Sequence, residues 1–168
     1  MDKQKQELVN LLSNKNDSLW GTLIYGTNTG NYKLVDIARQ QIGNKGGEEY
    51  WRWYGFDKRV AWCAIFVSWV ANEAGELNIT IPKFSLVSDG VNWYKQNNRW
   101  NDNDYIPKAG DIIFFDWEQD KKVNHVGIVE KVENNIIYTI EGNSTGDQCL
   151  EQEYEKNDKV IYGYGITL

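Results

Sequence analysis

The stretch 124–144, NHVGIVEKVENNIIYTIEGNS, carries the reading of the fold. Two β-branched and aromatic runs, Val126–Val132 and Ile136–Glu141, flank the polar residues Glu133, Asn134 and Asn135. That pattern predicts two antiparallel strands joined by a three-residue hairpin loop, in which Asn tolerates positive φ. Pairing Val132 with Ile136 sets His125 opposite Asn143, with Glu141 as a diagonal neighbour. Side chains alternate along a strand, so positions 125, 141 and 143 share one face. A bulge would move this register by about one residue.

Further strand-like runs lie on either side of this hairpin: Ile112–Trp117 (IIFFDW) before it and Val160–Ile166 (VIYGYGI) after it. Upstream of Pro107 the periodicity is helical. Apolar positions recur through Tyr32–Ile42, which Gly43 closes. Trp62–Ala74 is strongly apolar and stops at Gly75. Asp89–Trp100 opens on a capping aspartate and carries Val91, Trp93 and Tyr94. Helices first and strands afterwards predict an α+β domain, with helices packed on a C-terminal antiparallel sheet. Residues 3–14 read as a short amphipathic helix, and 14–31 as an Asn/Gly/Thr-rich loop. The expected organisation is therefore an N-terminal helix and linker over 1–31 and one compact domain over 32–168.

Composition narrows the function. A chain of 168 residues buries roughly 70% of its unfolded surface and needs no disulfide framework. Eighteen basic against twenty-four acidic residues leave a net charge of −6, a poor match to a phosphate backbone, so nucleic acid is not an expected partner. The longest apolar run, Val60–Ala71, is shorter than the roughly 20 residues of a membrane span. The amino terminus has no apolar core before a small-residue cleavage site and does not read as a signal peptide. Two cysteines and one histidine cannot supply a zinc site of the usual spacing. Cys63 and Cys149 sit in dissimilar contexts, and no bridge between them is expected.

Cys63 opens the apolar helix. Unpaired backbone N–H groups and the positive end of the helix dipole favour thiolate there. The alternative is a packed core cysteine. His125 is the only imidazole in the chain, so any histidine base must be this one. A cysteine hydrolase needs a base within reach of the thiol and a third group holding the imidazole by its other nitrogen, for which Glu141 and Asn143 are the candidates. The alternative for these two is a strand end running into the turn-rich EGNSTGD.

With those segments in view, the chain from about Leu34 to Leu168 resembles a CHAP domain, the cysteine- and histidine-dependent amidohydrolase/peptidase family of the papain-like clan. The segments that carry the resemblance are WYGFDKRVAWCAIFVSWVANEAG (53–75), PKAGDIIFFDW (107–117), NHVGIVEKV (124–132) and YTIEGNS (138–144). The resemblance implies a papain-like fold of the CHAP and NlpC/P60 type. It also implies Cys63 as nucleophile, His125 as general base, Glu141 as the orienting carboxylate and Asn143 as an assisting amide. The implied activity is hydrolysis of amide bonds in bacterial peptidoglycan, within the peptide cross-link or between glycan and stem peptide.

Trp51, Trp53, Tyr54 and Trp62 are the aromatics expected near a substrate groove, although core packing is the favoured reading for at least one of them, and Trp62 also reads as helix packing. No cofactor or metal is expected. Glu48, Glu49 and Asp57 lack alternating ligand spacing, and NDND at 101–104 lacks the glycine and distal Glu of a calcium loop. Action at the cell wall would need phage delivery, a longer exported parent or a separate targeting partner. The competing readings are a thiol amidase acting on a small non-wall amide and a non-catalytic wall-binding domain of the same fold.

Overall fold

The structure, a computed structural model, describes residues 30–168; the helix expected over 3–14 and most of the 14–31 loop lie outside the described residues. Four helices come first: α1 (Tyr32–Arg39), α2 (Glu48–Tyr54), α3 (Cys63–Ala74) and α4 (Val87–Gln96). Six strands follow: β1 (Trp100–Asp102), β2 (Ile112–Phe115), β3 (His125–Glu133), β4 (Ile136–Ser144), β5 (Gln148–Glu155) and β6 (Ile161–Gly165). They form one antiparallel sheet in the order β1-β6-β2-β3-β4-β5. The fold is the expected α+β.

Helix α3 is the centre of the packing. Cys63, Ala64, Ile65, Phe66, Val67, Ser68, Val70 and Ala71 are all buried, as befits a helix apolar on every side. It stops at Gly75, whose φ of 75° takes the left-handed C-cap geometry. Strand alternation sorts the sheet into two faces. Ile112, Phe114, Val126, Ile128 and Ile140 join the main core with the helices, whereas Ile113, Phe115, Val129 and Ile137 build a smaller cluster on the other side.

The β3–β4 hairpin differs from expectation at its tip. The loop is two residues, Asn134 and Asn135, both at positive φ (52° and 62°), the geometry of a type I′ turn. Glu133 pairs with Ile136 and Val132 with Ile137, one residue off the expected register. A bulge between Val129 and Lys131 then adds a residue to β3, and Ile128 meets Ile140. That pairing is the register expected at this end of the hairpin, and Gly127 lies against Glu141. Two further differences follow from weak strand signals. β5, rich in Glu and Gln, is an edge strand whose composition gives little β propensity. Trp100 leaves the helical segment and opens β1.

Among the glycines whose close approaches allow no side chain, two lie on the β3–β4 hairpin. A Cβ on Gly142 would stand 2.6 Å from the Phe66 Cβ and 2.9 Å from the Trp62 Cζ3, so its bare backbone is what lets α3 settle onto β4. A Cβ on Gly127 would stand 2.6 Å from the Glu141 Cγ, which makes this glycine the space for its cross-strand carboxylate. Replacing Gly142 with Ala is expected to lower stability by about 1–3 kcal/mol, the usual cost of overpacking, as a reduced urea midpoint with unchanged slope. An unchanged midpoint would show that α3 does not depend on this contact.

Candidate active site

Three segments converge at one end of the sheet. His125 opens β3 and pairs with Phe115, so it shares the face of the smaller cluster, whereas Cys63 opens α3 on the helix side. They meet at the rim, where the N-terminus of α3 comes over the end of β3. The Cys63 thiol lies close enough to the imidazole to favour its charged form. On the far side, His125 Nε2 lies 2.7 Å from Glu141 Oε1. All three groups are withdrawn from solvent, Cys63 and His125 each 8% exposed and Glu141 1%.

The electrostatics follow from those contacts. Burial alone would drive the imidazole below its usual value. The hydrogen bonds and charges of Cys63 and Glu141 oppose that loss of solvent and raise it to about 9. At neutral pH the site therefore holds an imidazolium.

Glu141 is itself held. Its Oε2 accepts hydrogen bonds from the Thr139 hydroxyl and from the Tyr154 hydroxyl, the latter at 2.9 Å. Thr139 lies two residues away on the same strand face, a position legible from alternation. Tyr154 comes from β5, which the sequence does not announce as a strand. A second unannounced residue is Trp117, 39% exposed, whose ring stacks on Phe115 (4.7 Å between centroids) and lies 5.6 Å from the imidazole. The Asp116 carboxylate secures the turn beneath it by accepting the Lys121 N–H at 2.7 Å. Trp117, Tyr154, Gln152, Ser144 and Thr145 join His125, Glu141 and Asn143 around an open cleft of about 390 Å³.

Asn143 takes a place different from the one expected. It sits at φ 53°, and the β4–β5 pairing shifts between Glu141 and Ser144. Its side chain turns toward α3, where Oδ1 accepts the Trp62 backbone N–H at 2.7 Å. It therefore anchors the residue before Cys63, while the imidazole is engaged by Cys63 and Glu141.

The groove aromatics also need correction. Trp62 is fully buried, stacked on Tyr50 at 5.4 Å, and cannot reach a ligand. Trp51 is 6% exposed and donates its indole N–H to the Gly46 carbonyl. Both are core. Trp53 and Tyr54 are half-buried, with the Lys83 ammonium 5.2 Å and 4.9 Å from their ring centres. Neither lines the cleft beside His125. Among the described residues no group of three or more His, Cys, Asp or Glu is arranged to hold a metal, and no helix is long and apolar enough to cross a membrane.

Comparison with known proteins bears on the same segments. No curated protein matches the sequence. Among solved structures, the crystal structure of Ly7917 with the hydrolyzing product of MDP is 18% identical, with a TM-score of 0.51, over 79% of this chain and 61% of that one. An NlpC/P60 family protein from Bacillus cereus ATCC 10987 is 20% identical, with a TM-score of 0.49, over 84% of this chain and 41% of that one. The chain thus spans about three fifths or less of these structures' length, and the first of them supports the fold alone. The family model of the CHAP domain matches residues 53–143, more than half of the sequence. That span runs from the approach to Cys63 through His125 and Glu141 to Asn143, the segments whose convergence builds the rim site, and the chain belongs to the CHAP domain family.

Proposed function

We propose that this protein is a cysteine amidohydrolase that cleaves amide bonds of bacterial peptidoglycan through an acyl-enzyme. Membership of the CHAP domain family supports a peptidoglycan hydrolase in general terms. The observation that carries the finer reading is the buried His125–Glu141 pair with the Cys63 thiol close by, beside a cleft with both aromatic and polar walls.

In this scheme the Cys63 thiolate attacks the amide carbonyl, forming an S–C bond. As the C–N bond breaks, imidazolium His125 gives its proton to the leaving nitrogen. His125, now neutral, takes a proton from water, the resulting hydroxide displaces the thiolate, and the carboxylic acid product leaves. Glu141 accepts from Nε2 throughout and keeps the charged imidazole in one orientation, while Thr139 and Tyr154 hold its second oxygen. The Trp62 N–H is committed to Asn143. The Cys63 N–H, at the positive end of α3, is the backbone donor closest in sequence to the sulfur and serves the oxyanion, a contribution commonly worth ~3 kcal/mol of barrier.

The direct test is digestion of purified cell walls followed by mass spectrometry of the released fragments. New amino termini on cross-bridge residues identify an endopeptidase, and liberated lactyl-sugar ends identify an amidase. Failure to release fragments from several wall types, with Cys63 still reactive to iodoacetamide, would redirect the reading to a small non-wall amide. A Cys63 no more reactive than free cysteine would redirect it to a binding domain.

Cys63→Ala is expected to abolish release while leaving the unfolding free energy from urea titration within about 1 kcal/mol of wild type, because one small group is lost. Glu141→Gln is expected to lower kcat on the order of 100-fold and to leave residual turnover, since an amide keeps one acceptor but loses the charge facing the imidazolium. Wild-type turnover in either variant would overturn the assignment.

The protonated His125 sets an alkaline limit. Activity is expected to fall as pH rises through about 9, where the imidazolium loses the proton destined for the leaving group. The folded value lies above the unfolded 6.5, so the associated stability is complete below pH 6.5 and lost as pH climbs through 9. Urea titrations of wild type and His125→Gln at pH 6 and pH 10 should show the gap between them narrowing at the higher pH. A gap that widens would contradict a charged ground state.

A further inference from the structure

Helix α3 begins without a side-chain cap of its own: Trp62, at the N-cap position, has no side-chain oxygen to offer the first turn. The nucleophile's helix start is instead tied down from the β4–β5 turn, about 80 residues further along the chain. Asp147 is the hub of that attachment. Its Oδ1 accepts the Trp62 indole N–H at 2.9 Å, an Arg59 guanidinium N–H at 2.5 Å and the Asn143 amide N–H at 3.3 Å. Its Oδ2 accepts the Arg59 Nε–H at 3.0 Å. The turn is built for this. Asp147 sits at φ 55°, a conformation Asp tolerates better than most residues, and closes back through its N–H to the Ser144 carbonyl at 2.9 Å.

The arrangement fixes an orientation. An Asn side chain presents either its oxygen or its NH₂ to a given neighbour. With the Asp147 carboxylate drawing the Asn143 NH₂, the Asn143 oxygen is left to face the Trp62 N–H. The same carboxylate holds the Trp62 indole and, through Arg59, the segment leading into the helix. Both ends of the residue next to the thiol, main chain and ring, thus depend on one side chain that is itself partly exposed.

We propose that Asp147 is a positioning residue for Cys63: by orienting Asn143 and clamping Trp62 and Arg59, it aligns the first turn of α3 so that the thiol faces His125. The proposal rests on the thiol–imidazole reading above, but it can be tested without a cell-wall substrate.

The experiment is the pH profile of iodoacetamide alkylation at Cys63, read by mass spectrometry to exclude the buried Cys149, alongside the melting temperature. Asp147→Gly removes the carboxylate and accepts positive φ. Asp147→Asn keeps one acceptor oxygen for the indole and Asn143 but loses the pairing with Arg59. Alignment and electrostatics predict opposite signs. Loss of the anion leaves the Arg59 charge uncompensated near the helix start, which by field alone would favour thiolate and move the profile to lower pH. Loss of alignment weakens the thiol–imidazolium contact and moves it to higher pH. His125, beside the thiol, and Glu141 behind it are left unaltered by these substitutions.

For Asp147→Gly the expected result is a profile displaced to higher pH and roughly tenfold slower alkylation at neutral pH, the scale on which small misplacements act. Asp147→Asn should recover part of both. Arg59→Gln should act in the same direction as Asp147→Gly and add little on top of it, since both break one clamp. If walls are digested, kcat should fall with KM unchanged. A profile that moves to lower pH, or one that stays in place while the melting temperature drops, would overturn the proposal. If wild type fails to digest walls yet its alkylation responds as described, the positioning role stands and only the substrate reading falls.

Discussion

A histidine removed from water should lose its proton, and this one keeps it only because it is gripped from both sides. The imidazolium of His125 is tenable in a buried position because the Glu141 carboxylate accepts its Nε2–H and the Cys63 thiol lies close by. Much of the local architecture serves that requirement. Gly127 is bare because the Glu141 side chain occupies the space across the strand. Gly142 is bare because α3 must come close enough for its first residue to overhang the rim. Thr139 and Tyr154 fill the second oxygen of Glu141, so that its charge is committed to one direction. The glycines of the H-V-G-I-V and E-G-N-S segments are thus steric consequences of one ion pair.

The part of this that the sequence discloses is the part that local pattern encodes. The apolar run closed by Gly75 marks α3 and puts a cysteine at its start. The β-branched runs around Asn134 and Asn135 mark the hairpin, and alternation aligns 125 with 141. The hairpin tip was off by a residue for a definite reason: two Asn at positive φ make the tighter turn, and the extra residue reappears in the bulge near Glu130. Because the bulge compensates, the register at the chemical end is unaffected.

What the sequence does not disclose is whatever depends on contacts between distant segments. β5 carries alternate Glu and Gln with little strand propensity and is a strand because β4 offers it an edge, so the support that Tyr154 gives Glu141 has no local signal. Asn143 follows the odd-numbered face in sequence yet leaves it, because a positive φ and a break in the β4–β5 pairing turn it toward Trp62. The aromatic cluster before Cys63 has a composition suited to a groove and a location inside the core. Composition cannot separate the two, whereas the tight packing of Trp62 against Tyr50 and Phe66 can.

The tether from the β4–β5 turn to the start of α3 also has a temporal meaning. A ribosome releases Cys63 long before it releases Asn143, Asp147 or Tyr154, and until those residues emerge the thiol has neither its neighbouring imidazole braced nor its own helix start secured. Cys63 therefore stands without this bracing until the later strands have folded onto the middle of the polypeptide.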